Sequence, residues 1–302
     1  MSHFTVMVID TWGNSDVASS LEPFQENNMG DCPHQYMEFD DREDEWQEEY
    51  DGSEDHKAKY ATFEDFCREY YGQDERDPET KRYGYYTNPN AKWDWYEVGG
   101  RWAGMLRVKE EALNSVPSPN FSWGWSTEEK EEASRKPVTD SARKSDIDWE
   151  GMMNEGRENA EAQWQKVADY CGVDERGHVK QPQKSWKQCV EECGNDYNKA
   201  RPLYNEQPEA IKFRECGAAG FMSNSAEYDC TKEEFGRRGG QNALSTFAVL
   251  KDGEWIEQGS MGWWGMSSAT DEDEETWRET FFDKFIKDLP EDATITIVDC
   301  HI

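Results

Sequence analysis

Long apolar runs are missing from this chain of 302 residues. No stretch approaches the roughly 20 apolar residues that a membrane-spanning helix needs. The opening run HFTVMVID is too short for the apolar part of a secretory leader, and no basic segment precedes it. The expectation is a soluble, intracellular protein whose eight cysteines are reduced thiols.

Hydrophobic residues of every kind are scarce, at 35%, and mean hydropathy is -1.08. Such polarity alone would fit a disordered chain. The aromatic residues exclude that reading: 14 Trp, 13 Tyr and 13 Phe give a folded core built from a few large rings. Basic residues are scarce too. Against 65 acids stand 33 Lys and Arg, for a net charge of -32. A surface this negative repels nucleic-acid phosphates and anionic lipid, so neither direct nucleic-acid binding nor membrane association is expected. The same charge suits high solubility, or occupation of a basic groove on another protein in the place of a nucleic acid.

Catalytic signatures are also wanting. There is no G-x-S-x-G elbow, no P-loop and no G-x-G-x-x-G. The five histidines are His3, His34, His56, His178 and His301; two stand beside the chain ends and two in strongly polar stretches. Cys32-Pro33-His34, Cys189-x3-Cys193 and Cys300-His301 lack the paired C-x2-C spacing of a zinc ribbon. Cys189 and Cys193 are expected as ordinary thiols on one helix face. No metal, cofactor or catalytic residue is assigned. The glycine-rich GRRGGQN, residues 236–242, is expected as a flexible turn rather than a phosphate site.

The elements that are present carry clear signals. HFTVMVID, residues 3–10, is apolar on both faces and predicts a central strand. Residues 38–55 hold eleven acids and one base, a solvated segment or an acidic helix edge. Thr62 and Gly72 bracket a short helix with Phe63, Phe66, Cys67 and Tyr70 on its apolar face. Residues 106–145 are polar and broken by Pro117, Pro119 and Pro137. From 146 to 172 apolar residues recur at helical spacing, and a second helix is expected before Gly194. STFAVLKDGEWIEQGS predicts a hairpin around Asp252-Gly253. Thr270 and Asp273 make a capping box for a helix that Pro290 stops. ATITIVDCHI predicts a last strand. The fold expected is α+β, a mixed or antiparallel sheet of N- and C-terminal strands with a helical insertion. Its parts are 1–105, the helical 106–210, and the strand–strand–helix–strand of 211–302.

One stretch stands out, NPNAKWDWYEVGGRWAG at 88–104. Alternation predicts Trp93, Trp95 and Glu97 on one strand face and Asp94 and Tyr96 on the other. Gly99-Gly100 would turn the chain, and Arg101 would emerge where it can stack on Trp102. One reading is an aromatic core corner. The other is a partner-binding surface of Trp93, Trp95, Tyr96, Arg101 and Trp102, the residue types that dominate interface hot spots. MGWWGM, residues 261–266, is a further aromatic knot expected to pack against the first.

HFTVMVID together with YGYYTNPNAKWDWYEVGGRWAG resembles a family of uncharacterised phage and prophage proteins. Size and charge are similar to phage inhibitors of bacterial immune complexes, of the anti-Gabija type. That resemblance implies a homo-oligomer in the host cytoplasm that binds a nuclease–helicase defence complex and blocks its access to DNA without catalysis. The alternative is an enzyme acting on a nucleotide or sugar at 88–104.

Overall fold

The computed structural model describes residues 2–13, 16–121, 126–133, 136–217, 225–262 and 265–302. The chain opens with β1 (His3–Asp10) and α1 (Val17–Leu21), followed by β2 (Glu38–Asp41), α2 (Glu43–Gly52), α3 (Glu54–Lys59) and α4 (Phe63–Tyr70). Next come β3 (Gly84–Thr87), β4 (Trp95–Val98), β5 (Leu106–Arg107), α5 (Thr127–Ala133), β6 (Val138–Thr139) and β7 (Ser141–Arg143). A helical stretch follows: α6 (Trp149–Cys171), α7 (Trp186–Glu192), α8 (Tyr197–Asn205), α9 (Pro208–Glu215) and α10 (Lys232–Asn242). The chain closes with β8 (Ala248–Lys251), β9 (Glu254–Glu257), α11 (Asp271–Phe281) and β10 (Thr294–His301).

The main sheet runs β4-β10-β1-β8-β9, with β7 also paired to β10. Its two long strands are the first and the last of the chain, antiparallel from His3 opposite His301 to Asp10 opposite Thr294. β8 lies parallel to β1, so the sheet is mixed and the fold is α+β. The termini therefore build the centre, as the β-branched runs at both ends imply. The β8–β9 hairpin turns at Asp252 and Gly253, both at positive φ, which an Asp-Gly pair accepts cheaply.

Side-chain alternation splits the sheet into two faces. Phe4, Val6, Val8, Leu250, Val298 and Cys300 point to one face and pack with Leu21 and Trp93. Met7, Ile9, Val249, Ile295 and Ile297 point to the other, where Trp277, Phe281 and Phe285 cover them. Thr270 and Asp273 cap α11 reciprocally, as the capping box predicts. The helix does not continue uniformly to Pro290, because Phe282–Ile286 widens into a π turn that keeps Phe285 and Ile286 buried. Leu106, Val108, Ile147 and Met152 join the same core, so the polar middle of the chain is anchored in the sheet domain.

GRRGGQN is a correction. It lies inside α10, not in a flexible turn. Its glycines let α10 approach α6 at backbone distance: a Cβ on Gly239 would meet the Gly156 carbonyl oxygen at 2.7 Å and overlap Ala160. Propensity disfavours glycine in a helix by about 1 kcal/mol. Here close packing overrides it. Among the described residues, no helix is long and apolar enough to cross a membrane.

Candidate functional site

The stretch 88–104 is built from three devices. Asn88 is buried; its Nδ2 donates to the Pro23 and Gln25 carbonyls at 2.9 Å each, and its Oδ1 accepts from Asn90 N at 2.9 Å. The Asn-Pro-Asn motif is thus a turn locked to the segment after α1. Trp93 follows, buried, with Nε1 donating to the Leu21 carbonyl at 3.0 Å. Its ring meets Tyr96 edge to face at 5.0 Å. Burial pushes the Tyr96 hydroxyl upward.

The expected sharing of a face by Trp93 and Trp95 is therefore corrected. The ladder with β10 begins only at Trp95, and Trp93 sits before it in an isolated bridge to Gln25. Alternation cannot be counted across that break. Trp93 packs with Tyr96, while Trp95 lies on the opposite side and is 48% exposed.

The third device is the glycine turn. Gly99 and Gly100 take φ of 75° and 56°, where only glycine is at ease. The turn closes over two buried carboxylates. Arg101 N donates to Asp299 Oδ2 at 3.0 Å; Gly104 N and Asn120 N donate to the two oxygens of Asp140 at 2.6 and 2.5 Å. A Cβ on Gly100 would stand 2.6 Å from the Asp299 Cβ, and one on Gly99 would stand 2.6 Å from the Asp140 carboxyl carbon. Burial pushes the Asp140 carboxyl above the usual range, and the two backbone N–H groups pull it back.

Of the five predicted contact residues, Trp93 and Tyr96 belong to the core, Trp95 and Arg101 face solvent, and Trp102 is half-buried. The expected stacking of Arg101 on Trp102 does not occur. Among the described residues the Arg101 guanidinium is neither ion-paired nor stacked on a ring. Trp102 lines one wall of a cleft of about 1050 Å³, with Arg107, Lys136 and Asn154 on others. Trp263 and Trp264, the centre of the 261–266 aromatic knot, lie outside the described residues.

The acidic run 38–55 is the other candidate. It forms β2, α2 and the start of α3. Trp46 is its inward anchor, stacked on Tyr71 at 4.0 Å within a cluster that includes Tyr60, Phe63, Phe66 and Tyr83. Thr62 caps α4 by accepting from Asp65 N, as predicted, but Tyr70 is half-exposed. Burial pushes the Cys67 thiol up to about 11. On the outward side Asp44, Glu45, Glu48, Asp51, Glu54 and Asp55 are all exposed. Arg82 pairs with Asp44 at 2.8 Å and Arg42 with Glu45 at 2.7 Å.

Sequence reasoning set His3 and His301 aside as histidines beside the chain ends and passed over Asp140 and Asp299. Two of them were legible: with the termini aligned as antiparallel strands, His3 falls opposite His301. Among the described residues no group of three or more His, Cys, Asp or Glu could hold a metal ion. Cys189 is buried on α7, and Cys193 caps that helix, its backbone N–H donating to the Cys189 carbonyl. No protein-family model, curated protein or solved structure matches the chain.

Proposed function

We propose that the chain is a phage-encoded anti-defence protein, a homo-oligomer of the host cytoplasm. It binds a host immune nuclease complex and blocks its access to DNA, and the blocking needs no catalysis. The observation that supports this reading is the acidic ridge of α2 and α3, packed through Trp46 on an aromatic cluster. Four exposed carboxylates, Asp44, Glu45, Glu48 and Asp51, lie on α2. At about 1.5 Å of axis per residue they give roughly one carboxylate per 3.5 Å. One strand of DNA presents a phosphate about every 3.4 Å. The aromatic cluster beneath removes the cost of ordering the ridge on binding. Arg82 and Arg42 pair with Asp44 and Glu45 at its start and Lys57 pairs with Glu54 in α3, which leaves Glu48, Asp51 and Asp55 without an ion-pair partner among the described residues. A basic groove would steer such a surface into place at long range.

Purification of the tagged chain from defence-carrying cells, washed across a salt series, tests the reading. A stoichiometric nuclease complex released by salt supports it. Recovery of the chain alone contradicts it.

An alternative reading, an enzyme acting on a nucleotide or sugar, has one observation in its favour: the cleft lined by Trp102, Arg107 and Lys136. Arg107 is already committed to Asp148 and Glu155 at 3.1 Å each. Titration with nucleotides and oligosaccharides, followed by shifts of the Trp102 indole resonance, tests it; an unmoved resonance removes it.

A further inference from the structure

At the end of the β1–β10 ladder, His3 stands directly opposite His301, and Trp95 stands opposite His301 on the other side. The two imidazoles meet edge to face with centroids 4.9 Å apart. Each commits Nδ1 to a carboxylate. His3 reaches Asp299 Oδ1 at 2.8 Å, and His301 reaches Asp94 Oδ1 at 2.5 Å. An ionised carboxylate only accepts, so the network assigns a proton to Nδ1, and in the neutral form of each ring the lone pair lies on Nε2. Neither Nε2 is bonded to a described residue. Both rings reach solvent, with side-chain exposures of 17% and 13%.

The carboxylates are themselves held. Asp299 is 1% exposed and takes Arg101 N on its other oxygen. Asp94 takes Asn28 Nδ2 on its other oxygen at 3.0 Å. This is the outer support that metal-ligating histidines carry: Nδ1–H on a fixed carboxylate, with the ring orientation set.

The surroundings decide the ligand's sign. Asp94, Glu97 and Asp299 share this end of the sheet, in a chain of net charge -32. They disfavour a phosphate and attract a cation. Two imidazole nitrogens suit Zn²⁺, Ni²⁺ or Cu²⁺, whereas Mg²⁺ and Ca²⁺ prefer oxygen. We propose that His3 and His301 form a two-imidazole site for a divalent transition-metal ion, each binding through Nε2. Water or a group from outside the chain completes the coordination. The ion would join the first strand to the last.

The test is calorimetric titration of Zn²⁺ and Ni²⁺ into the full chain, with excess Mg²⁺ occupying surface carboxylates. The expected result is one ion per chain, lost in the double variant His3→Gln/His301→Gln. Asp94→Asn keeps both rings and is expected to weaken binding about 10- to 100-fold. Binding unchanged in both variants would place the ion on thiols or carboxylates elsewhere and overturn the proposal. The histidine variants could loosen the strand junction, so another readout uses the unaltered protein. Zn²⁺ should shift the Nε2 resonances of two histidines in long-range ¹H–¹⁵N spectra; absence of any shift also overturns the site.

Discussion

The acidic segment 38–55 and the aromatic stretch 88–104 invert what their compositions suggest. By composition the acidic run is a solvated segment or an acidic helix edge, yet Trp46 anchors it on a stacked aromatic base. The aromatic stretch has the make-up of a contact surface, yet it gives Trp93 and Tyr96 to the core and its glycines to two buried carboxylates. An aromatic residue in a polar chain is first of all core material, because little else can bury enough area. Charge needs no partner to stay at the surface, so a charged run becomes a site only when something underneath makes it rigid.

Substitutions can break or sharpen that contrast. The largest effect is expected at the base of the ridge. Trp46→Ala should cost about 3–5 kcal/mol by the usual loss for a buried large aromatic. Hydrogen exchange should accelerate over 38–72 while the β1–β10 pair stays protected. Equal loss of protection in both would mean that the ridge is not a unit of its own. Gly100→Ala comes next. A left-handed backbone costs a non-glycine residue about 1–2 kcal/mol, and the contact with Asp299 adds to it. Chemical denaturation should therefore show a loss of at least about 2 kcal/mol.

Asp140→Asn turns an acceptor into a donor facing two backbone N–H groups. An expected loss of about 1–3 kcal/mol follows from one unsatisfied buried pair. Trp95→Ala, in the same stretch but exposed, should stay within about 0.5 kcal/mol of the parent. A large loss there would return Trp95 to the core and weaken the contrast. A pH series adds one more measure. The Thr80 N–H and then the Tyr86 hydroxyl hold Asp77 down to about 2. A carboxyl depressed by folding stabilises above its ordinary value near 3.9 and loses that contribution as pH falls toward about 2. Acid unfolding followed by circular dichroism should flatten in that window in Asp77→Asn.

Much of the fold was legible because local signals and burial agreed. Thr62, Thr270 and Asp273 cap where their spacing predicts, Asp252-Gly253 turns the hairpin, and the two apolar termini pair at the centre. The misreadings arose where long-range packing decided. Gly236, Gly239 and Gly240 break helices by propensity, but α6 lies close enough to require them. The break before Trp95 shifts the alternation, and only the partner strand β10 reveals it. Asp140 and Asp299 were invisible among 65 acids, since burial rather than identity sets them apart.

The central claim is that the ridge docks by charge. The most direct test compares the parent chain with Glu48→Gln/Asp51→Asn/Asp55→Asn in binding the captured nuclease complex at two salt concentrations. The parent should bind more tightly and lose affinity more steeply with salt, and the variant should be weaker with a shallower slope. Equal affinities with equal slopes would contradict the claim and move the contact off the ridge.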